Sequence, residues 1–308
     1  MPLIHLKAHP SCHVSLLPCL GNLKLDAGTT MNVWQVDFYR RPLQDANGQT
    51  LWELLICDAT RHFTYNGLCP QQSVNSNWLV SQLQNAANTV GLPTLLQVFR
   101  PQSLGLLTTA AQQLNIPVEA TRHTPALKQW LQERASQYHL QDNYTGEAYN
   151  PLALDKPPPT PLPEKLWGEQ WRFATLPAGN LEEAFAGRPI PCLQMLQFLL
   201  PLHLGLASTL PVPGVVIDGG RQSMQLARWL QNVNPVALNY IAGAPDGLIL
   251  EAGLAERWVV ATFEDQEVTA AAQMYEQRKL TSQGLHFLLV QPDDSGMTYT
   301  GFWLLRDE

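Results

Sequence analysis

Charge is scarce in this chain. Only 15% of its 308 residues are Asp, Glu, Lys or Arg, and the balance is −7. That counts against a generic polyanion binder, because phosphate affinity leans on clustered lysine and arginine. No apolar run reaches the ~20 residues a membrane-spanning helix needs. The longest, around Cys192 to Leu206, contains Gln194, Gln197, Pro201 and His203 and reads as a buried helix interrupted by proline. A paired cysteine framework is also missing: the cysteines stand at positions 12, 19, 57, 69 and 192, which fits a reduced, intracellular chain in the cytoplasm. Cys57 lies in an apolar strand and reads as a small core residue. His5, His9, Cys12, His13 and Cys19 crowd the N-terminus without the spacing of a zinc module.

Catalytic patterns are absent in the same way. Ser76 and Ser223 lie in no nucleophile elbow. Gly219-Gly220, between the strand Gly214–Asp218 and the helix Arg221–Leu230, offers free N–H groups to an anion, but no GxGxxG or GK[ST] pattern surrounds it. The carboxylate pairs are Asp37 with Asp58, Glu251 with Glu256, and Asp293 with Asp294; the last reads as a solvated turn. His286 sits in an apolar strand and reads as a hydrogen-bonded core histidine. No enzyme, cofactor or metal follows from these residues.

What is present is apolar content, 45%, enough to bury the cores of two ordinary domains. The most informative stretch is Val33 to Asp58. Two runs rich in β-branched and aromatic residues, Val33–Tyr39 and Leu51–Ile56, flank Asn47-Gly48, a strong hairpin signal. Arg40-Arg41 follow Trp34, Phe38 and Tyr39, and Pro42 follows them. Arginine grips phosphate and stacks on bases, and aromatics stack on unpaired bases. The competing reading makes the aromatics core and pairs the arginines with Asp37 or Asp58. Charge is unevenly spread. Residues 31–150 carry seven basic and eight acidic residues, whereas 201–308 carry six and twelve. The near-neutral half is the better nucleic-acid surface, with Arg100, Arg122 and Lys128 as supporting candidates.

Three separated patches carry a resemblance. The first is WQVDFYRRPL…LWELLICD, holding Asp37, Pro42, Trp52, Glu53 and Asp58. The second is DGLILEAGLAERW, holding Glu251, Gly253, Arg257 and Trp258. The third is GLHFLLVQP followed by GFWLL, holding His286, Phe287, Gln291, Gly301, Phe302 and Trp303. In this order they resemble the Tab-two/Atab-two family, from about Met31 to the C-terminus. The resemblance implies a non-catalytic protein that binds single-stranded, A/U-rich RNA, acts in translation of photosystem messages and in photosystem biogenesis, and has translation or assembly proteins as possible partners. Residues 1–30 lack the marks of a secretory signal or transit peptide and read as a dispensable extension or an upstream start, which fits a cyanobacterial source.

The fold class expected is α/β, with α+β possible, in two domains with mixed sheets. Residues 31–142 form the first domain, 143–175 a Pro-rich linker with five prolines between 157 and 163, and 176–308 the second. The N-terminal order β-β-β-α-β-α-β-α is that of the ribonuclease-H-like fold, taken as analogy. An active nuclease of that kind needs acids on the first strand, first helix and fourth strand. Asp37 fills the first place, but Trp78–Val90 and Thr94–Phe99 have none. The alternatives to RNA binding are a metal-dependent nuclease and a protein-only photosystem assembly factor. Arg257-Trp258 and Lys279, in the acidic half, serve folding or a protein partner.

Overall fold

Asp45, Asn47 and Gly48 make the first turn. The Asp45 carboxylate accepts from the backbone N–H groups of Asn47 and Gln49, and Gly48 takes φ +76°. This turn joins β1 (Val33–Gln44) to β2 (Thr50–Cys57), followed by β3 (Thr64–Pro70), α1 (Ser76–Val90), β4 (Leu95–Val98), α2 (Pro101–Gln113), β5 (Val118–Ala120) and α3 (Pro125–Tyr138). The computed structural model describes residues 32–307, so the N-terminal His/Cys cluster and the expected extension lie outside the described residues.

The first sheet has the order β3-β2-β1-β4-β5. β1, β2 and β3 are antiparallel, while β4 and β5 extend the sheet parallel to β1. Alternation along the strands divides the side chains between two buried faces. Trp34, Val36, Phe38, Leu54 and Ile56 pack against Leu79 and Leu83 of α1 and Leu107 of α2. Leu55 and Cys57 face the other way, onto Phe99 and Leu127 and Leu131 of α3. α1 starts where Asn75 accepts from the Trp78 N–H at 2.9 Å and stops at Gly91, φ +76°. α2 begins at Pro101, where proline at the first helical position costs no hydrogen bond.

The C-terminal half carries two sheets. β7 (Gln170–Pro177), α4 (Leu181–Phe185), β8 (Cys192–Gln194), β9 (Pro211–Asp218), α5 (Ser223–Val233), β10 (Pro235–Ile241), β11 (Asp246–Ala252), β12 (Glu256–Phe263), α6 (Gln266–Thr281), β13 (Leu285–Gln291) and β14 (Gly301–Arg306) follow the short β6 (Thr160–Pro161). One sheet has the order β7-β9-β13-β14-β8 and the other β10-β11-β12-β6. Val215, Ile217, Leu288, Val290 and Trp303 share a core with Leu238, Leu248 and Leu250 of the second sheet and with Leu226 and Leu230 of α5. On the opposite face Val212, Val216, Phe287, Phe302 and Leu304 pack on Leu181 and Phe185 of α4. The architecture is therefore mixed α/β, with three mixed sheets and six helices among the described residues.

The apolar run from Cys192 to Leu206 is not the helix expected. Leu196 and Leu200 are extended, at ψ 132° and 139°, and Leu200 precedes Pro201, whose ring disfavours the helical region for it. Leu196, Leu199, Leu204 and Leu206 instead cap the α4-side core as an irregular layer. Residues 143–161 are tied down along their length. The Asn143 carbonyl accepts from the Gln44 N–H, the Thr145 N–H donates to the Pro42 carbonyl, and Thr160 and Pro161 pair with Trp258 and Val259. No helix among the described residues is long and apolar enough to cross a membrane.

Candidate functional site

Asp37 and Arg41 lie four positions apart on β1 and so share a face; Glu53 joins them because it pairs with Tyr39 across the hairpin. Arg41 Nη2 meets Asp37 Oδ2 at 2.8 Å, its Nε meets Glu53 Oε2 at 3.0 Å, and its Nη1 donates to the Tyr149 hydroxyl at 2.8 Å. Arg100 Nε donates to Asp37 Oδ1 at 2.7 Å, and its two remaining nitrogens donate to the carbonyls of Ala153 and Pro151. Tyr138 donates to Glu53 Oε2 at 2.6 Å, and Arg134 binds the other Glu53 oxygen. Burial alone would lower the pKa of Arg41, but Asp37, Tyr149, Tyr138 and Glu53 together raise it. Burial pushes the Tyr138 and Tyr149 phenols up.

This cluster corrects the reading of the hairpin as an RNA platform. Trp34 and Phe38 are fully buried; Phe38 stacks on Trp78 at 5.5 Å. Arg41 and Arg100 are interior ion-pair partners, 2% and 1% exposed. Tyr39, half-buried, carries the Arg100 guanidinium 4.2 Å above its ring. Of the hairpin candidates only Arg40 is exposed, with its guanidinium 5.9 Å from the Tyr39 ring. Successive residues on a strand point to opposite faces, so Phe38 and Arg41 never shared a surface. Among the described residues no group of three His, Cys, Asp or Glu side chains is placed to hold a metal ion.

The motif residues also serve the fold. Pro42 is buried, and Trp52 packs on Phe38 at 5.2 Å. Burial pushes the Asp58 carboxyl up, but the Thr60 hydroxyl and the N–H groups of Phe63, Thr60 and His62, from all of which it accepts, together outweigh that and hold it below its usual range. Gly253 turns at φ +51°, and Arg257 donates to the Pro157 carbonyl. Trp258 meets Trp229 edge to face at 5.2 Å. His286 is fully buried; its Nε2 accepts from the Leu238 N–H at 2.9 Å. Phe287 stacks on Phe302, and Gln291 donates to Asp218 at 2.7 Å. A Cβ on Gly301 would strike the ring of Trp303. At Gly219-Gly220 the space over Gly220 is filled by the Glu169 carboxylate, an anion the chain itself supplies.

The exposed chemistry lies elsewhere. A cleft of about 1010 Å³ runs along the α3 side of the first sheet, at the upper end of the ~300–1,000 Å³ usual for ligand pockets. Arg122, His123 and Lys128 line it from the N-terminal half, Leu152, Leu154 and Lys156 from the tied-down segment, and Phe198 and Arg306 from the C-terminal half. Among the described residues four cations line it against one acid, Asp307. Phe198 is 50% exposed, and the His123 ring meets it edge to face at 5.2 Å. Lys128 Nζ lies 5.9 Å from the Phe99 ring centre.

Arg122 ties this wall to β11. Its Nε donates to the Leu254 carbonyl at 2.8 Å and its Nη1 meets Glu251 Oε2 at 2.9 Å, while Nη2 is buried with no hydrogen-bond partner among the described residues. Lys156 Nζ holds both Glu251 oxygens, at 2.7 and 2.9 Å. Burial would raise the Glu251 pKa, but Lys156 and Arg122 outweigh it and hold the carboxyl below its usual range. Two of the candidates named from sequence, Arg122 and Lys128, thus meet in one cleft. His123, Lys156, Phe198 and Arg306 were missed. Lys156, among prolines, was the one visible hint; nothing local distinguishes Phe198 from its apolar neighbours.

Comparison with known proteins agrees with this two-half construction. Residues 33–134 match the family model described as RNA-binding protein Tab2/Atab2 N terminal, and residues 149–306 match the model for the C-terminal domain. The chain is 32% identical to the chloroplastic protein TAB2 homolog of Zea mays, over 89% of this chain and 71% of the maize protein. It is 33% identical to that of Arabidopsis thaliana, over 89% of this chain and 74% of the other. The HTLV-2 integrase catalytic core matches at 13% identity, covering 37% of this chain and 80% of that one, with a TM-score of 0.25, too weak a likeness to inform fold or chemistry. With both halves matched, and relatives above 30% identity along most of their length, the chain belongs to the Tab2/Atab2 family of RNA-binding proteins.

Proposed function

We propose that this protein binds single-stranded, A/U-rich RNA without chemistry, and acts in translation of photosystem messages by occupying an untranslated leader. The observation that carries the reading is the cleft, which Arg122, Lys128, Lys156 and Arg306 line together with the half-exposed ring of Phe198. Cations that track a backbone, with an aromatic ring for stacking, are what unpaired RNA needs. The protein's net charge of −7 is no obstacle, since the field that counts is local to the cleft.

The same reading makes the N-terminal half a ribonuclease-H-like sheet given over to binding. Three antiparallel strands followed by alternating helices and parallel strands support it. So does Asp37, whose two oxygens are held by Arg41 and Arg100; a carboxylate neutralised by two guanidiniums has little left for a divalent ion.

Ultraviolet crosslinking in cells, followed by sequencing of the RNA bound to this protein, tests the proposal. The expected result is enrichment of A/U-rich leaders of photosystem messages. Recovery of no RNA above an untagged control overturns RNA binding, and recovery of unrelated messages overturns the photosystem role. Cleavage of labelled single-stranded RNA with Mg²⁺ or Mn²⁺ that disappears in Asp37→Asn overturns the non-catalytic reading.

A further inference from the structure

Glu251 lies behind the cleft wall and satisfies two of the cleft's own cations. We infer that Arg122 and Lys156 form a phosphate subsite for one unpaired nucleotide, that the Glu251 carboxylate occupies this subsite in the free protein, and that an RNA phosphate takes Lys156 from it while the adjoining base stacks on Phe198. The inference rests on reading the cleft as the RNA surface.

A carboxylate and a phosphate present similar oxygens to arginine and lysine, so a position built for one accepts the other. The three side chains are unequally placed. Arg122 and Glu251 are 8% and 7% exposed, but Lys156 is 43% exposed. Lys156 is therefore the member free to turn into the cleft, and Glu251 keeps Arg122 when it does. Arg122 lines the cleft and carries a buried Nη2 donor without an acceptor among the described residues. A buried donor left unpaired is costly, and a phosphate oxygen reaches this one only once Lys156 has turned aside. Phe198 supplies the base-binding face. Its ring is half exposed and braced edge-on by His123, itself a neighbour of Arg122 in sequence. A duplex keeps its bases stacked inside, so only unpaired RNA reaches that ring.

The test uses the full chain and fluorescence anisotropy with a labelled A/U-rich single strand of about twelve nucleotides, within the ~4–16 nucleotides such sites span, and the duplex of the same sequence, each over a range of salt. Phe198→Ala is expected to weaken single-strand binding roughly 5- to 150-fold and to leave duplex binding unchanged. Lys156→Gln is expected to flatten the salt dependence by about 0.7 in log–log slope, one phosphate contact on a single strand. Glu251→Gln, which removes the competing charge, is expected to bind more tightly and more steeply with salt. Glu251 is buried among its partners, so that variant can fail to fold; thermal melting checks this, and Lys156→Gln, on an exposed lysine, then carries the charge test. Wild-type affinity and slope in both Phe198→Ala and Lys156→Gln overturn this inference and leave RNA binding standing. A folded Glu251→Gln that binds more weakly overturns the displacement of the carboxylate. Wild-type protein that binds no RNA overturns both readings.

Discussion

Arg100 and Asp37 stand 63 positions apart and meet at 2.7 Å, with both side chains almost cut off from solvent. The contact joins the residue that precedes α2, just past β4, to the middle of β1 and fixes the tied-down segment as well, since Arg100 also donates to the carbonyls of Pro151 and Ala153. Asp37 serves two guanidiniums, Arg41 and Arg100, so its loss strands both. Breaking a buried pair by removing one partner costs about 3–5 kcal/mol. Asp37→Ala should lose about that much, read from urea unfolding. A loss below about 1 kcal/mol, the scale of a surface pair, would show that the cluster is not closed to water in solution.

Arg40 and Arg41 are expected to part company. Arg41→Ala leaves Asp37 and Glu53 each short of a buried partner and should cost several kcal/mol, on the order of 3–5. Arg40→Ala removes an exposed side chain and should leave the unfolding midpoint where it was. Parallel melts of the two variants decide the matter. Equal behaviour would put Arg41 on the surface and restore the hairpin as a binding site.

The hairpin at Asn47-Gly48 was legible in the sequence, because turn chemistry and period are local properties. β10 and β7 were not. Pro235–Ile241 opens on a proline, and Gln170–Pro177 alternates weakly and sits at the end of a proline-rich stretch. The site was the harder part. Arg41 carries the same local signal whether it faces phosphate or Asp37, and only the pairing of Glu53 with Tyr39 decides between them. The cleft joins residues as far apart as Arg122 and Arg306. No window of sequence holds that juxtaposition, and nothing local to Phe198 marks it as exposed.

Two glycines are expected to respond with opposite signs to alanine. Gly214 on β9 pairs with Phe287, and a Cβ there would lie 2.3 Å from that ring. The ring is enclosed by Phe185 and Phe302, so Gly214→Ala should overpack the core and cost about 1–3 kcal/mol or more. Gly105 sits inside α2 with open space where its Cβ would go. Gly105→Ala should stabilise by about 0.4–1 kcal/mol, because alanine loses less backbone entropy in a helix. Urea midpoints at constant slope give both values. A destabilised Gly105→Ala would mean that α2 is not helical at that position.

His286 is expected to stay neutral far below the usual imidazole range. Burial is the larger cause, Lys279 adds to it, and the bond to the Gly284 carbonyl opposes both; together they bring the pKa from 6.5 to about 3. The neutral ring is also what the hydrogen bonds require: Nε2 accepts from Leu238, so the proton sits on Nδ1, facing Gly284. In the unfolded chain the same ring protonates near pH 6.5. Between pH 6.5 and 3 the unfolded state therefore binds a proton that the folded state refuses, and stability rises with pH across that window. Its contribution is intact above pH 6.5 and is lost as pH falls, at a limiting rate of about 1.4 kcal/mol per pH unit. The wild-type slope of unfolding free energy against pH, measured between pH 6 and 4, should exceed that of His286→Gln by about that amount. The ring's NMR shifts should stay constant over the same range. A ring that titrates near pH 6 in the folded protein would overturn the assignment and place His286 within reach of water.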